Sequence, residues 1–350
     1  MKLFVAAAVA ASCLSAQQLA EQAYKNIVEL KGVPAEQVAP SMQFISSSLG
    51  VECGFCHVPG KPEADDKPEK KTARQMIAMT KAINQNHFGG RLQVTCNSCH
   101  NGATRPVSIP AVIQSDAAPA KPPQLAPATA NVDQILERYV TAVGGADALR
   151  KITSRSQKGV IRAGGTETPI EVWTKAPNKR VSITHGANGD SMTAFDGTAG
   201  WMGGTTGGAH TARAMSTLES ASSALDAEFY LPLRLKELYP QLRRGRAELV
   251  DGAECDVLNG TAEGRPPVRL YFDRKTGLLT RLVRYTDTPL GRNPVQVDYA
   301  DYRAVNGVQV PHRWTLSRTN GRFTIQISET QANVAIDDSK FTRPASGDGR

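Results

Sequence analysis

The 350-residue sequence has no hydrophobic run long enough to span a bilayer, which takes about 20 apolar residues. Its lysines and arginines, which give a net charge of +8, are scattered and form no stripe interleaved with aromatic residues, so no nucleic-acid partner is predicted. His185, His210 and His312 are isolated, and no nucleophile stands near a recognisable base. Residues 203–210 are rich in glycine without the context of a phosphate-binding loop and are predicted to form a flexible loop.

The N-terminus has the pattern of an export signal. A basic start is followed by a short Ala/Val-rich stretch and by small residues before a plausible cleavage point after Ala16. We therefore predict a signal peptide at residues 1–16 and a periplasmic or otherwise exported protein, with membrane association left open. Cys13 supports an alternative, a lipid anchor at a mature N-terminal cysteine, although the residues before it fit that signal only in part.

Four of the six cysteines form two CxxCH motifs, at residues 53–57 and 96–100. This motif attaches a c-type haem covalently: its two thiols add to the haem vinyl groups, and the adjacent histidine becomes the proximal iron ligand. Two covalently bound haem c groups are therefore predicted. The residues assigned to them are the thioether-forming Cys53, Cys56, Cys96 and Cys99 and the proximal ligands His57 and His100.

A zinc site built from the same four cysteines is the alternative, since paired CxxC motifs are common in structural zinc sites. It leaves the histidine after each motif without a role, and the gap between the two pairs is long for such a site. A redox disulfide also needs no histidine in that position. The motifs favour haem over both. The remaining Cys255 is predicted to be a small buried side chain.

Each motif follows a predicted helix that carries methionine. A Met thioether is the usual sixth ligand in cytochromes of higher potential. Met42 opens the first helix, at residues 42–49, and Thr72 is predicted to cap the second. Met76 and Met79 lie on one face of that second helix, and either fits the role of ligand. Ordinary core packing is the alternative for all three methionines.

Residues 26–107 resemble the cytochrome c subunit of photosynthetic reaction centres. The resemblance is carried by Met42 before the first motif and by the runs ARQMIAMTKAIN and VTCNSCHNG around the second. That family builds each haem site as a helix with an axial Met, a turn and CxxCH. The resemblance implies Met42 as the distal ligand of the first haem and Met76 as that of the second. Met79 then serves in packing and stays the alternative ligand.

The resemblance implies an electron-transfer protein rather than an enzyme, with redox proteins or a membrane electron-transfer complex as partners. Well-known members of the family carry four haems, whereas this chain has two motifs, so a photosynthetic role is not predicted. A dihaem peroxidase is the alternative, but it needs an open iron position, which a Met above each iron would close. We also expect His57 and His100 to donate their free N–H to a carbonyl or water. Arg74 and Arg91 are candidate partners of the haem propionates.

The overall pattern predicts an α+β protein of two domains. A small, mostly helical dihaem cytochrome c domain occupies residues 17–109, and a Pro/Ala-rich linker follows at 110–130. Residues 131–345 are predicted to form an antiparallel β domain, a strongly curved sheet, or half-barrel, that carries a helix. Helices are predicted at 132–143 and 146–152. The predicted strands are residues 156–161, 170–174, 180–184, 268–272, 278–285, 295–302, 312–317 and 323–329.

The β domain resembles β half-barrels of the exported lipoprotein-sorting type. The similar pieces are AVGGADAL at residues 142–149, FDG at 195–197 and IDDSKF at 336–341. Such domains enclose apolar ligands or bind proteins on a concave face. The resemblance therefore implies an apolar ligand or a protein partner for this half of the chain, and it leaves open a lipid-binding or partner-binding module with the haems as accessories.

Overall fold

The structure, a computed structural model, describes residues 17–106, 130–206 and 209–343. The predicted signal peptide, Cys13 and nearly all of the predicted linker lie outside the described residues. The chain divides into two compact units between Thr104 and Arg105. The domain boundaries at 109, 130 and 345 therefore stay predictions. Among the described residues, none of the helices combines the length and the apolar character that crossing a membrane requires.

The first unit is helical. Two short 3₁₀ turns, at Ala35–Gln37 and Cys53–Phe55, precede or interrupt its helices. The helices are α1 (Ala20–Ala23), α2 (Val38–Leu49), α3 (Pro68–Phe88) and α4 (Cys96–His100).

Helices α2 and α3 begin earlier than the sequence predicted. The 3₁₀ turn before Val38 already sets helical geometry, so α2 starts four residues before Met42. Pro68 starts α3 because its fixed φ suits the first helical position, and Thr72 lies inside the helix, where its hydroxyl donates to the Pro68 carbonyl at 3.2 Å. Both helices end at glycines in the left-handed conformation, Gly50 at φ 67° and Gly89 at φ 60°.

The second unit is an antiparallel sheet with four helices. Each of the eight predicted strands lies within an observed strand, except that the prediction starting at Leu278 begins one residue before β11, and the observed strands extend up to four residues beyond the predicted ends. The two predicted helices are present. The helices are α5 (Val132–Ala142), α6 (Ala146–Lys151), α7 (Thr217–Ala227) and α8 (Leu231–Leu238), and a 3₁₀ turn lies at Asp338–Phe341. The strands are β1 (Ser154–Ala163), β2 (Thr166–Lys175), β3 (Lys179–Gly186), β4 (Gly189–Phe195), β5 (Gly200–Thr206), β6 (Ala209–Ala214), β7 (Arg243–Arg244), β8 (Glu248–Val250), β9 (Ala253–Gly260), β10 (Val268–Asp273), β11 (Leu279–Thr288), β12 (Gly291–Val305), β13 (Val308–Arg318) and β14 (Gly321–Ala332).

The sheet consists of two runs of neighbouring antiparallel strands joined in the middle. Its order is β6-β5-β4-β3-β2-β1-β14-β13-β12-β11-β10-β9-β7, with β8 paired to β9. The pairing of β1 with β14 brings the first and last strands of the unit together. This curved antiparallel sheet confirms the predicted half-barrel and the α+β class.

The main core of this unit lies between the helices and one face of the sheet. Tyr139 on α5 packs against Phe272 on β10 with ring centroids 5.1 Å apart. Leu225 on α7 and Leu235 on α8 belong to the same buried cluster. Alternate residues of the strands supply the facing side, as expected for a sheet with one buried face.

The glycine-rich stretch was wrongly predicted to be a loop. Its first residues continue β5, and β6 begins at Ala209. A Cβ at Gly203 would lie 2.0 Å from the Thr211 carbonyl oxygen, so the close approach of β6 requires glycine there. Glycine in this strand therefore marks tight pairing between strands.

Candidate haem site

The second CxxCH segment (residues 96–100) is the short helix α4. The Thr95 N–H donates to the Ser98 hydroxyl at 3.1 Å, which stabilises the start of the helix. Asn101 ends it in the left-handed conformation at φ 44°. One helical turn therefore presents Cys96, Cys99 and His100 together.

These three residues line a cavity of about 260 Å³ in the first unit. Met76 and Met79 on α3 line it as well, and both side chains are partly exposed. Much of the remaining wall is apolar. It includes Ile45 and Leu49 of α2 and Ile77 of α3. The structure thus brings both thiols and the histidine of the second motif to one cavity with both candidate methionines.

The first CxxCH segment (residues 53–57) contains the 3₁₀ turn Cys53–Phe55. Its Cys56 also lines the cavity of the second segment. Met42, Cys53 and His57 do not line that cavity, and Met42 is half-buried on α2. The cavity therefore gathers the residues predicted for the second haem and only one of those predicted for the first.

Both histidines make the expected hydrogen bond to the backbone. His57 Nδ1 lies 2.9 Å from the Pro62 carbonyl oxygen, and His100 Nδ1 lies 2.9 Å from that of Ala103. A carbonyl oxygen only accepts, so Nδ1 carries the proton in each ring. Each Nε2 therefore keeps its lone pair for a metal.

A charged cluster, defined here as Asp65, Lys70 and Arg74, fixes the loop that follows the first segment. The buried Lys70 ammonium donates to the carbonyls of Pro62, at 2.9 Å, and Ala64, at 2.8 Å, and lies 3.1 Å from the Asp65 carboxylate. Hydrogen bonds from Arg74, and after it from Asn26 and Lys70, hold the pKa of Asp65 well below its usual range. The Pro62 carbonyl thus accepts from both Lys70 and His57.

The two arginines proposed as propionate partners have other partners in the protein. Arg74 donates to Asp65 at 2.9 Å and to the Asn26 carbonyl at 3.2 Å. Arg91 donates through Nε to the Phe88 carbonyl at 3.3 Å. Arg74 therefore serves first as part of the charged cluster.

A single neutral side chain fixes the approach to the second segment. Asn84, near the end of α3 and 5% exposed, accepts at Oδ1 from the backbone N–H groups of Gln93 and Val94, both at 2.9 Å. Its Nδ2 donates to the carbonyls of Val94, at 2.7 Å, and Thr80, at 3.1 Å. Three of these bonds attach residues 93–94 to α3 immediately before α4, and the bond to Thr80 lies within α3.

The end of α2 meets the turn after α4. The Gly102 N–H donates to the Ser48 carbonyl at 2.8 Å. A Cβ at Gly50 would lie 2.3 Å from the Gly102 carbonyl oxygen, and Gly50 also has φ 67°, so both space and backbone require glycine. The turn that precedes the first segment therefore contacts the turn that follows the second.

The profile of the family described as "Photosynthetic reaction centre cytochrome C subunit" matches residues 3–183, more than half of the chain. The chain belongs to this family. It is also 32% identical over 93 residues to cytochrome c-554 of Chloroflexus aurantiacus, a match that covers 23% of this chain and 22% of that relative. The chain thus spans about a fifth of the length of that curated relative.

Solved structures are similar to part of this chain. A DUF1329 family protein from Desulfovibrio piger covers 62% of this chain and all of its own, at 16% identity and a TM-score of 0.44. A LolA superfamily protein from Nitrosomonas europaea covers 61% and 99%, at 13% identity and a TM-score of 0.40. Both TM-scores are below 0.5, so the strand order, rather than these similarities, establishes the architecture.

The residues at the second segment fit the haem c expected of this family. The cysteines at 53, 56, 96 and 99 form no disulfide in the described part of the chain, and burial raises the pKa of the Cys56 and Cys96 thiols. A thioether and an imidazole with a free Nε2 on one cavity are the donor set of a c-type haem iron. Within the described residues, no group of three or more His, Cys, Asp or Glu side chains is placed to hold a metal ion.

Sequence reasoning missed Asn84 and Lys70, which shape the two segments. Lys70 looks like one of many solvated lysines, and Asn84 looks like a polar residue near a helix end. Their spacing offers a weak signal, since both lie on the side of α3 that also carries the buried Ile77. Cys255 has the predicted role: it is free and fully buried.

Proposed function

We propose that this cytochrome family member is an exported dihaem electron-transfer protein. In this proposal Cys53 and Cys56 hold one haem c, and Cys96 and Cys99 hold the other. His57 and His100 are the proximal ligands. Met42 and Met76 are the distal ligands, with Met79 as the alternative to Met76. Haem c, when bound, supplies a one-electron Fe(III)/Fe(II) couple.

The observation that carries the proposal is the state of the two histidines. Each directs its Nδ1–H to a backbone carbonyl at 2.9 Å, which fixes the ring and leaves Nε2 free. A carbonyl acceptor on the far nitrogen also makes an imidazole a better donor to metal. Two separate CxxCH segments with the same arrangement support ligation in both.

The chain's contribution at the second segment is binding and orientation. The cavity wall supplies thioether and apolar groups, and Met76 and Met79 are close enough in sequence that either could face the imidazole. An apolar, partly closed wall limits water, and solvent access is one of the main factors that set a haem potential. Three bonds of Asn84 hold residues 93–94, which lead into α4, against α3.

Partners and location follow the same proposal. We expect redox proteins or a membrane electron-transfer complex as donor and acceptor, and a periplasmic location after removal of residues 1–16, with membrane attachment at Cys13 as the minor form. The scattered positive charge would favour acidic redox partners. The proposed domains are 17–109 for the haems, 110–130 as linker and 131–345 for the β half-barrel.

A redox titration of the exported full-length protein, followed by visible absorbance, tests this proposal. We expect the bands of a c-type haem and two one-electron steps. In the native protein, carbon monoxide and cyanide should bind slowly or not at all, because both distal positions are filled. Rapid binding at one haem would favour the peroxidase alternative. A protein with no haem bands, or one whose titration shows a single electron, would contradict the proposal.

A further inference from the structure

The concave face of the second unit contains a cavity of about 380 Å³ that the electron-transfer proposal does not use. Most of its wall is apolar and comes from alternate residues of the strands, such as Ile170 and Val172 of β2, Leu316 of β13 and Ile325 of β14. A largely apolar cavity with a few polar groups is the usual form of a small-molecule site.

Arginines dominate the charged part of this wall. Two acidic side chains share it, and each already has a partner: Asp226 pairs with Arg284 at 2.5 Å, and Glu228 pairs with Arg234 at 2.7 Å. The cavity-lining arginines are Arg155, Arg180, Arg284 and Arg318. In the described part of the chain, no carboxylate lies within ion-pair distance of Arg155, Arg180 or Arg318.

Stacking leaves the in-plane donors of two of these arginines available. The Arg155 guanidinium lies 4.8 Å from the ring centre of Phe229, and that of Arg318 lies 5.8 Å from the ring centre of Phe323. A stacked guanidinium still points its N–H groups outward in its own plane. The Nε–H of Arg155 is one of these in-plane donors, and it is buried without a hydrogen-bond partner.

Two of the arginines and a threonine form a row across three strands. Arg155 of β1 pairs in register with Thr174 of β2, which pairs with Arg180 of β3. Neighbouring strands lie about 4.8 Å apart, and residues in register share one face. Thr174 is 8% exposed, and its hydroxyl has no hydrogen-bond partner. Two unmatched cations thus flank an unsatisfied buried hydroxyl.

This row is costly for the protein on its own. Burial lowers the pKa of Arg155 to about 10 and also lowers that of Arg180, and both side chains remain charged near neutral pH. The Asp226 carboxylate favours the charged form of Arg180 but makes its ion pair with Arg284. Like charges that make no ion pair of their own oppose folding, and a buried unpaired hydroxyl does so as well. An anion that accepts from both guanidiniums would offset these costs, since arginine binds carboxylates and phosphates through paired donors.

We propose that this cavity binds an amphiphile with a hydrocarbon chain and one anionic head group. The head group lies at the row Arg155–Thr174–Arg180, and the chain covers the apolar wall. A small inorganic anion would leave that wall in contact with water, and a neutral lipid would leave the arginines without a counter-ion. The proposal stands independently of the haems.

Calorimetric titration of the full-length, haem-loaded protein with four probes tests the proposal. The probes are dodecanoate, dodecyl phosphate, dodecan-1-ol and inorganic phosphate, each chain-bearing probe below its micelle concentration. We expect dodecanoate, dodecyl phosphate or both to bind at least about tenfold more tightly than the alcohol, a difference of about 1.4 kcal/mol. Inorganic phosphate should neither bind measurably nor displace them. The relative affinities of the two anions distinguish a carboxylate ligand from a phosphate ligand.

Charge-removing variants test the assigned residues. Arg155→Met and Arg180→Met should each weaken binding of the anionic probe at least about tenfold and leave alcohol binding unchanged. Arg313→Met is the matched control, because Arg313 lies on β13, is exposed and is outside the cavity lining. Without ligand, the thermal midpoints of Arg155→Met and Arg180→Met should equal or exceed that of the unmodified protein, which also shows that they fold.

Several results would overturn the proposal. These are alcohol binding as tight as that of the anions, no binding by any chain-bearing probe, or unchanged anion binding in both variants. Binding only to vesicles of anionic phospholipid, with none to the monomeric probes, would assign the arginines to a membrane surface and overturn it too. The haem spectrum is unaffected in every case, so failure here is distinguishable from failure of the electron-transfer proposal.

Discussion

The two CxxCH segments are held in place by different chemistry. The first is followed by a loop fixed by the charged cluster of Asp65, Lys70 and Arg74, and Lys67 also donates to the Gly54 carbonyl inside the motif. The second is fixed by Asn84, a neutral side chain that makes four bonds to backbone groups. The segment that carries the imidazole–carbonyl bond is thus held by charged side chains in the first case and by the hydrogen bonds of a neutral amide in the second.

Because of this difference, the two segments should respond differently to pH and to substitution of the residues that hold them. Charged groups polarise their surroundings and depend on pH, whereas an amide depends only on its geometry. Because Lys70 and His57 share the Pro62 carbonyl, a change in the cluster also reaches the imidazole of the first segment. No charged side chain shares the Ala103 carbonyl with His100 in the hydrogen bonds of the described residues. In the proposed dihaem protein, the two sites would therefore have separate means of adjusting their potentials.

The largest expected effect comes from the distal ligands. Met76→Ala should lower one haem potential on the order of 0.1 V, within the range of about 0.8 V that axial ligands span, and should open that iron to carbon monoxide. Met42→Ala should do the same at the other haem. Redox titration and carbon monoxide spectra measure both effects. Met79→Ala is the matched control for Met76→Ala and should change neither the haem potential nor carbon monoxide binding. If Met79→Ala changed both and Met76→Ala changed neither, Met79 would be assigned as the ligand.

Next in size is the loss of Asn84. Asn84→Leu removes four hydrogen bonds and leaves backbone groups of residues 93–94 without partners, so we expect a loss of about 2–4 kcal/mol in the free energy of unfolding of the first unit. Urea denaturation followed by haem absorbance measures it. Asn86→Leu, at an exposed position on the same helix, should change stability by less than about 0.5 kcal/mol. Equal effects of the two variants would mean that Asn84 does not hold the segment.

A smaller, more selective effect is expected at Lys70. Lys70→Met should cost about 1–3 kcal/mol and should lower the potential of the first haem while leaving the second unchanged. The potential falls for two reasons: a positive charge is removed, and the Pro62 carbonyl becomes a stronger acceptor for His57, which favours Fe(III). Lys71→Met, at the exposed neighbouring position, is the control for redox titration. A shift of the second haem instead would show that the cluster acts elsewhere.

The smallest effect is a difference in acid sensitivity. The pKa of Asp65 is lowered in the folded protein, so its contribution to stability is present above the unfolded value of about 3.9 and is lost as pH falls toward the lowered value. From about pH 6 down to about pH 3, Asp65→Asn should therefore lose less stability than the unmodified protein. Asp66→Asn, at an exposed position, should follow the unmodified protein. Urea denaturation at each pH measures this, and parallel curves for all three would contradict the role of Asp65.

The sequence predicted most of the architecture because the signals were local. The CxxCH motif alone indicates covalent haem attachment. Glycines mark the ends of α2 and α3, and alternation of apolar residues marks the strands that line the concave face. The strands from β4 to β9 were not predicted. In β5, glycine weakens the alternation of apolar residues, although the close approach of β6 at Gly203 is what requires glycine there. Helices α7 and α8 lie in the same unpredicted stretch.

The supporting residues of the sites could not be predicted in the same way. Asn84 binds backbone groups nine and ten residues away, and Lys70 binds carbonyls six and eight residues before it, so their roles depend on loop paths rather than on periodicity. The Arg155–Thr174–Arg180 row depends on the register of three strands, which no local pattern encodes. The sequence motifs identified the predicted haem-binding residues, whereas the residues that hold those segments in place depend on tertiary contacts.

Intact-mass measurement of the exported protein and two paired variants tests the central claim most directly. The unmodified protein should carry the added mass of two haems, and Cys53→Ser/Cys56→Ser and Cys96→Ser/Cys99→Ser should each carry one. Loss of one set of visible absorbance in each variant would agree with two independent attachment sites. An unmodified protein with no added haem, or paired variants that each still carry two haems, would contradict covalent attachment at these cysteines.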